Sequence, residues 1–459
     1  MSDNPVQALE VVILAAGKGT RMYSSTPKVL HAIGGETLLG HVIKSAQDLN
    51  PTTIHIVVGF EGEQVKERFA THNISWAEQT EQLGTGHAVA QALPNIDLDS
   101  MVLVLYGDVP LITTDTLSKL TELCRPDAVS LLTVNSTDPS GLGRIIRDAQ
   151  QCAIAIVEEK DATATQKGIH ETNSGILAAP AKKLKQWLAA LSPKNAQGEY
   201  YLTDIIAMAV QDHCTVATLS VDDELEVLGV NNKVQLSQLE RHYQKRKAQE
   251  LLLAGVTLFD PARVDVRGTL QCGRDVEIDI NTIFEGDVQL GNNVKIGSNV
   301  VIKNSRIGDN TQVLANSHIE ESQIADSCTI GPYARLRTGT HLDNNSKIGN
   351  FVETKKARIG EGSKVNHLSY IGDAEVGKNV NIGAGTITCN YDGRNKFLTR
   401  IQDGVFVGSN TALVAPVEIG KYASIGAGST ITKSVGDNEL AVARARQRNI
   451  DGWKRPEKK

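Results

Sequence analysis

The chain has 459 residues, of which 41% are hydrophobic and 22% charged, with a net charge of −6 at pH 7. Such a length exceeds one ordinary core and calls for two or three domains, and the composition is that of a folded chain rather than a disordered one. The net charge speaks against broad nucleic-acid binding, and apolar runs as short as residues 11–16 exclude a helical membrane span.

The opening MSDNPVQALE lacks a basic flank followed by an apolar core, so it does not read as a signal peptide. Six cysteines (124, 152, 214, 272, 328 and 389) include no CxxC pair. They argue against a zinc knuckle or a disulfide framework and favour a reducing, cytoplasmic setting.

Runs of Val, Ile and Leu at 11–14, 54–58, 101–105 and 129–134 read as strands buried on both faces. Between them, 37–49 and 61–69 carry apolar residues at helical spacing. The alternation predicts a Rossmann-like α/β domain, a mostly parallel sheet with helices on both faces. In such sheets ligands sit beyond the carboxyl ends of the strands.

The first run ends in Leu14-Ala15-Ala16-Gly17-Lys18-Gly19-Thr20-Arg21-Met22, with Pro27-Lys28 shortly after. Small residues let a backbone approach a phosphate closely, and Arg21 and Lys28 supply positive charge. This is not a Walker A loop, and a Gly-rich turn after a strand is by itself a weak pointer. Gln79 followed by Gly84-Thr85-Gly86-His87 suits recognition of a base edge, or is a plain loop before a helix. The third strand delivers Tyr106-Gly107-Asp108; an Asp there suits Mg²⁺ held against phosphates, or is a turn aspartate.

Residues 232–253 contain neither Gly nor Pro and read as one long helix, a natural connector. Beyond it, aliphatic-Gly pairs recur six residues apart, at Leu290 and Ile296, Val376 and Ile382, and Ile419 and Ile425. Further pairs start at 307, 330, 348, 359, 371 and 407. A hexapeptide period predicts a left-handed parallel β-helix whose aliphatic residues fill a narrow core while Gly and Asn turn the corners. About ten coils fit between 255 and 437, giving a prism roughly 45–50 Å long at about 4.8 Å per coil. The low aromatic content, 4%, suits a core expected to have no room for large rings. The repeat breaks between 387 and 402, where a projecting loop is expected.

His367, in VNHLSY, adjoins a regular hexad; a lone histidine is more often structural than catalytic. Yet Arg337, Lys355, Tyr370 and Asn381 recur at intervals that bring them onto nearby coils of one face. Cations there suit a phosphorylated sugar, and a histidine suits removal of a proton from an amine. The basic end, from Arg444 onward, reads as a solvated tail, or as a place where Arg444 reaches the phosphates of a ligand.

Taken together, LAAGKGTRM…PK, QLGTGHA, LYGDVPL and GVNN resemble the bacterial bifunctional N-acetylglucosamine-1-phosphate uridylyltransferase/glucosamine-1-phosphate acetyltransferase family over essentially the whole chain. The resemblance implies a uridylyltransferase domain at 1–231, a linker helix at 232–254 and an acetyltransferase β-helix with tail at 255–459. It implies that Leu14, Ala15, Ala16, Gly17, Gln79, Gly84 and Thr85 hold the uridine nucleotide, with Tyr106 and Gly107 beside them. Arg21 and Lys28 would stabilise phosphate charge, and Asp108 and Asn231 would coordinate Mg²⁺. Gly143, Glu158 and Asn173 would recognise the sugar.

In the second half His367 would be the general base, and Arg337, Lys355, Tyr370 and Asn381 would bind the acetyl acceptor. Ala384, Asn390, Tyr391, Ser409, Ala427 and Arg444 would bind acetyl-CoA. The implied product is UDP-N-acetylglucosamine, a precursor of peptidoglycan and lipopolysaccharide, made by a homotrimer from glucosamine 1-phosphate, acetyl-CoA and UTP. Two rival readings are a single-activity nucleotidyltransferase whose β-helix only oligomerises, and a non-enzymatic scaffold that keeps both folds.

Overall fold

The computed structural model describes residues 8–59 and 61–458, and the chain divides into two compact units, Met1–Tyr243 and Gln244–Lys459. The division falls within the single helix Lys233–Leu253, the segment read above as a connector. The opening residues 1–7, read above for a leader, lie outside the described residues. Among the described residues no helix is long and apolar enough to cross a membrane.

The first unit is built on a sheet in the order Thr215–Val221, Ala128–Asn135, Glu171–Pro180, Met101–Tyr106, Leu9–Ala15, Thr53–Val58, Ser75–Glu78. The last four of these strands are mutually parallel. Glu171–Pro180 runs antiparallel to both neighbours, and the short pair Arg144–Arg147 and Ala153–Val157 attaches to it. The sheet is therefore parallel at one end and mixed at the other, in keeping with the mostly parallel sheet expected from the sequence pattern.

Alternate residues of each central strand feed two cores. Val11, Ile13 and Leu103 pack with Leu39, Val42 and Ile43 of the helix Leu38–Gln47, whereas Val12, Val102 and Val104 pack with Ala88, Val89 and Ala92 of the helix Thr85–Ala92. Each such aliphatic side chain, fully buried, contributes about 1.5–3 kcal/mol. The helix Leu38–Gln47 starts where it does because Thr37 Oγ1 accepts from Gly40 N at 3.0 Å.

Ser75–Glu78, a four-residue edge strand, has too little aliphatic character to be seen in the sequence. Its presence makes Met101–Tyr106 the fourth strand of this sheet in chain order rather than the third, and sets Gln79 at a strand's carboxyl end.

The second unit is a solenoid of exclusively parallel strands, an 11-stranded sheet running from Thr257–Leu258 to Leu440–Ala441 and a 15-stranded one, as in a left-handed β-helix. Lys295 faces Gln312 and Gln312 faces Thr329, a step of 17 residues each, or nearly three hexads. Ile296, Val313, Ile330, Ile348, Val365, Ile382, Val407 and Ile425 form one column of its core, none more than 2% exposed. One large ring is accommodated after all: Phe284 is 1% exposed, between Val266 and Ile302 of the adjacent coils.

The corners are columns of left-handed backbone. Asn293, Asn310, Ser327 and Asn345 form one, with φ of 55–60°. Asn281, Asn299, Asn316, Tyr333, Phe351 and Leu368 form another. Asparagine tolerates this conformation better than other side-chain-bearing residues and bonds locally. Here Asn281 Nδ2 donates to Asn299 Oδ1 at 2.9 Å and Asn293 Nδ2 to Asn310 Oδ1 at 3.1 Å. The expected interruption is real but shorter than 387–402. Ile387–Cys389 and Thr399–Ile401 both stay in the ladder, and Ala374 faces Thr399, a step of 25 residues.

Candidate active sites

At the carboxyl ends of Leu9–Ala15 and Thr53–Val58 lies a cleft of about 230 Å³, lined by Ala15, Ala16, Gly17 and Lys18 together with Gly59 and Gln82. Gly59 and Gln82 were not singled out in the sequence. Gln82 Nε2 donates to Ala16 O at 2.5 Å, and Leu14 O accepts from Gly107 N at 2.9 Å, so the small-residue turn is tied to both neighbouring loops. Gln79 is 4% exposed, with Nε2 3.1 Å from both Gly84 O and His87 Nδ1. Its amide holds the turn that leads into Thr85, the first residue of the next helix.

Four residues from distant segments converge beside this cleft. The Lys28 ammonium pairs with the Asp108 carboxylate, and Arg21 Nη2 donates to Asn231 Oδ1 at 2.9 Å. Val230 N donates to Asp108 O at 2.9 Å, and a Cβ on Gly229 would stand 3.6 Å from Asp108 Oδ2. The GVNN segment is thus docked on the Asp108 loop. Among the described residues no group of three or more His, Cys, Asp or Glu is placed to hold a metal. A carboxylate and an amide oxygen fit Mg²⁺, which takes one or two protein oxygens and completes its shell with phosphate and water.

Gly143, Glu158 and Asn173 meet on the mixed side of the same sheet. Asn173 N donates to Gly143 O and Asn173 Oδ1 accepts from Gly175 N, both at 2.9 Å. A Cβ on Gly143 would lie 3.5 Å from the Glu158 carboxylate oxygens. Burial pushes the Glu158 carboxyl above the usual range; the hydrogen bond from Thr203 opposes the shift, and Asp204, Asp161 and Glu199 add to it. Burial, followed by the charges of Glu158 and Asp108, likewise holds the Tyr106 phenol protonated. Gly175 has φ +87°, and a Cβ there would come within 2.6 Å of the Tyr106 ring, so glycine is required.

Sequence reasoning missed residues 199–204, EYYLTD. Tyr200 N donates to Leu83 O and Tyr200 O accepts from Gly86 N, both at 2.8 Å. Leu202 N reaches Thr85 Oγ1 at 3.1 Å and Thr203 Oγ1 reaches Glu158 at 3.0 Å. The segment braces both the Gln79–Thr85 turn and Glu158. Its signal was a tyrosine pair in a chain with only 4% aromatic residues.

On the solenoid, Asn350, His367, Ala384, Ser409 and Ala427 occupy one column on successive coils. Asn350 pairs with His367, Gly385 N donates to His367 O, Asn410 N to Ala384 O, and Gly428 N to Ser409 O. Arg444 Nη1 caps the column by donating to Ala427 O at 2.7 Å. Small side chains therefore run for three coils, roughly 14 Å, above His367. The strip is free of bulky side chains over that length.

Arg337 and Lys355 share a neighbouring column, because Leu336 faces Thr354 in the parallel ladder. Arg337 Nη1 donates to Glu353 at 2.8 Å, and Glu353 pairs in register with Tyr370. Lys396, then Arg337, hold the Lys355 ammonium below its ordinary value. Lys396 stands on the inserted loop and had not been picked out, although it is a cation in the one segment that departs from the repeat. On that loop Asn390 is 8% exposed and donates to Asp373 Oδ2 at 2.5 Å, whereas Tyr391 is 59% exposed. Asn381 stands apart from this group: it pairs with Lys364 and Phe406, three residues along the strand from the His367 column.

Residues 11–194 match the MobA-like NTP transferase domain, residues 266–345 the GMPPB C-terminal domain, and residues 398–433 the bacterial transferase hexapeptide (six repeats). The chain is 57% identical over 450 residues to the bifunctional protein GlmU of Marinobacter nauticus, covering 98% of this chain and 99% of that one. It is 57% identical over 451 residues to that of Pseudomonas putida, and 54% over 451 to that of Idiomarina loihiensis, with the same coverage.

Proposed function

The chain belongs to the GlmU family of bifunctional proteins, and from that premise we propose that it makes UDP-N-acetylglucosamine in two steps. The solenoid transfers an acetyl group from acetyl-CoA to glucosamine 1-phosphate. The α/β unit then transfers uridylate from UTP to N-acetylglucosamine 1-phosphate, releasing pyrophosphate and supplying a precursor of peptidoglycan and lipopolysaccharide. The observation that carries this reading is the convergence of Lys28, Arg21, Asp108 and Asn231 at the cleft of a nucleotidyltransferase sheet. In the same chain a histidine begins a strip of small residues on hexapeptide coils.

For uridylyl transfer, the sugar phosphate oxygen attacks the α-phosphorus of UTP and the bond to pyrophosphate breaks. The attacker is already an anion, so the protein needs no nucleophile of its own. Its residues align and neutralise: Ala15 to Gly17 offer close backbone, Gln79 and Thr85 shape the base subsite, and Lys28 and Arg21 bring charge to the phosphates. Asp108 and Asn231 would hold Mg²⁺, which when bound neutralises phosphate charge. Gly143, Glu158 and Asn173 hold the sugar.

For acetyl transfer, the 2-amino group attacks the thioester carbonyl while His367 Nε2 takes its proton. The C–N bond forms, the C–S bond breaks, and the leaving thiolate takes a proton from the imidazolium. Arg337, Lys355 and Lys396 offer charge to the sugar phosphate, and the Ala384–Ser409–Ala427 strip with Asn390, Tyr391 and Arg444 receives coenzyme A.

The domains follow as 1–231, 232–254 and 255–459. A homotrimer with acetyltransferase sites between subunits is supported by the exposed corner column beside His367. There Tyr333 and Phe351 stack at 5.3 Å with Leu368 next in line, and Asn381 lies away from the other acceptor residues. Six free cysteines support a cytoplasmic setting. One assay supplying glucosamine 1-phosphate, acetyl-CoA, UTP and Mg²⁺ tests the reading: thiol and pyrophosphate are both expected, and release of either one alone would reduce the chain to a single activity.

A further inference from the structure

Asn350 and His367 face each other in register on adjacent coils, with Asn350 Oδ1 2.6 Å from His367 Nδ1. Backbone bonds hold the pair in line: Leu368 N donates to Asn350 O at 3.1 Å, and Gly385 N to His367 O at 3.4 Å. Ser369 Oγ donates to the same His367 carbonyl at 2.8 Å. On the other side of His367 in this column stands Ala384, whose side chain offers no polar atom.

An amide oxygen only accepts, so the ring nitrogen opposite it carries the proton. A neutral imidazole has one N–H, and placing it on Nδ1 leaves the lone pair on Nε2. Were the amide reversed, its N–H would donate to Nδ1, the proton would sit on Nε2, and the ring would have no base to offer. Resting on the reading of His367 as the general base, we propose that Asn350 is a positioning residue for acetyl transfer, fixing the tautomer whose Nε2 takes the proton of the attacking amine. A neutral amide does this without an anion that would hold a second proton on the ring.

The test reads the tautomer directly, by ¹⁵N NMR of the histidine ring in the full-length protein above the ring's pKa, with His367→Ala assigning the signal. The wild type and Asn350→Asp, whose carboxylate also accepts, are expected to show Nδ1–H. Asn350→Leu is expected to move toward Nε2–H and to lose about 10–100-fold in kcat for thiol release, the usual scale for an orienting partner. KM for acetyl-CoA should stay within about twofold. Asn350→Asp should restore most of kcat, and pyrophosphate release from N-acetylglucosamine 1-phosphate should be unchanged throughout. Nε2–H in the wild type, or a leucine variant with unchanged tautomer and kcat, would overturn the proposal. Full thiol release by His367→Ala would instead remove the general-base assignment on which it rests.

Discussion

Arg21 donates to Asn231 at 2.9 Å although 210 residues separate them in sequence. A second pair, Lys28 with Asp108, is tied to it where Val230 N donates to Asp108 O, and in each pair a residue expected on the phosphates is held by a residue expected on the metal. The resting site thus keeps its two cations beside its oxygen donors, with only one carboxylate to offset them, so the group is left positive for incoming phosphates.

Removing a member of these pairs should weaken phosphate stabilisation selectively. Arg21→Ala is expected to lower kcat for pyrophosphate release by about 10²–10³-fold, the scale for losing one preorganised donor. A chelator should stop pyrophosphate release and leave thiol release unaffected. Separate coupled assays of the two products check both outcomes.

Glu158, which we propose binds the sugar, is held at a cost in stability. Its folded pKa is raised, chiefly by burial, so folding disfavours its charged form. The unfolded chain releases this proton first as pH rises past the ordinary glutamate value. Stability is therefore full below that value, falls as pH climbs toward the raised folded pKa, and stays lower beyond it. Glu158→Gln should raise Tm at pH 7, leave it unchanged near pH 4, and raise KM for N-acetylglucosamine 1-phosphate.

Arg144 opens the strand Arg144–Arg147, Glu159 stands two residues beyond its partner strand Ala153–Val157, and the two form an ion pair at 2.6 Å, with the Arg144 side chain 2% exposed. Glu159→Ala leaves a guanidinium buried without its counter-charge, and about 3–5 kcal/mol of stability should be lost. Arg144→Met combined with Glu159→Leu should lose far less. Urea unfolding of both variants decides between them.

At the solenoid corners, Asn299 has φ +58° and accepts from Asn281. Asn299→Val is expected to cost about 1–2 kcal/mol, because a Cβ-branched residue is forced into left-handed backbone, whereas Asn299→Gly should be tolerated. Thermal unfolding of the two variants measures the difference.

Much of this was legible in the sequence, for reasons that differ along the chain. The solenoid core repeats every 17 or 18 residues, so Ile296, Val313 and Ile330 announce one another. Phe284 escaped notice because one ring in one layer leaves no periodic trace. Ser75–Glu78 and the antiparallel course of Glu171–Pro180 depend on tertiary pairing and carry no local signal. Lys28 and Asp108 stood out beside the ends of their strands and Asn231 through the resemblance; their convergence, like the bracing by residues 199–204 and the register of Asn350 with His367, exists only in three dimensions.

The most direct test of two chemistries in two separate units is a reciprocal pair of variants, Asp108→Ala and His367→Ala, each assayed for both half-reactions. Asp108→Ala should abolish pyrophosphate release from UTP and N-acetylglucosamine 1-phosphate while releasing thiol at the wild-type rate, and His367→Ala should do the reverse. A folded variant that loses both activities, or neither, would contradict the assignment of one site to each unit.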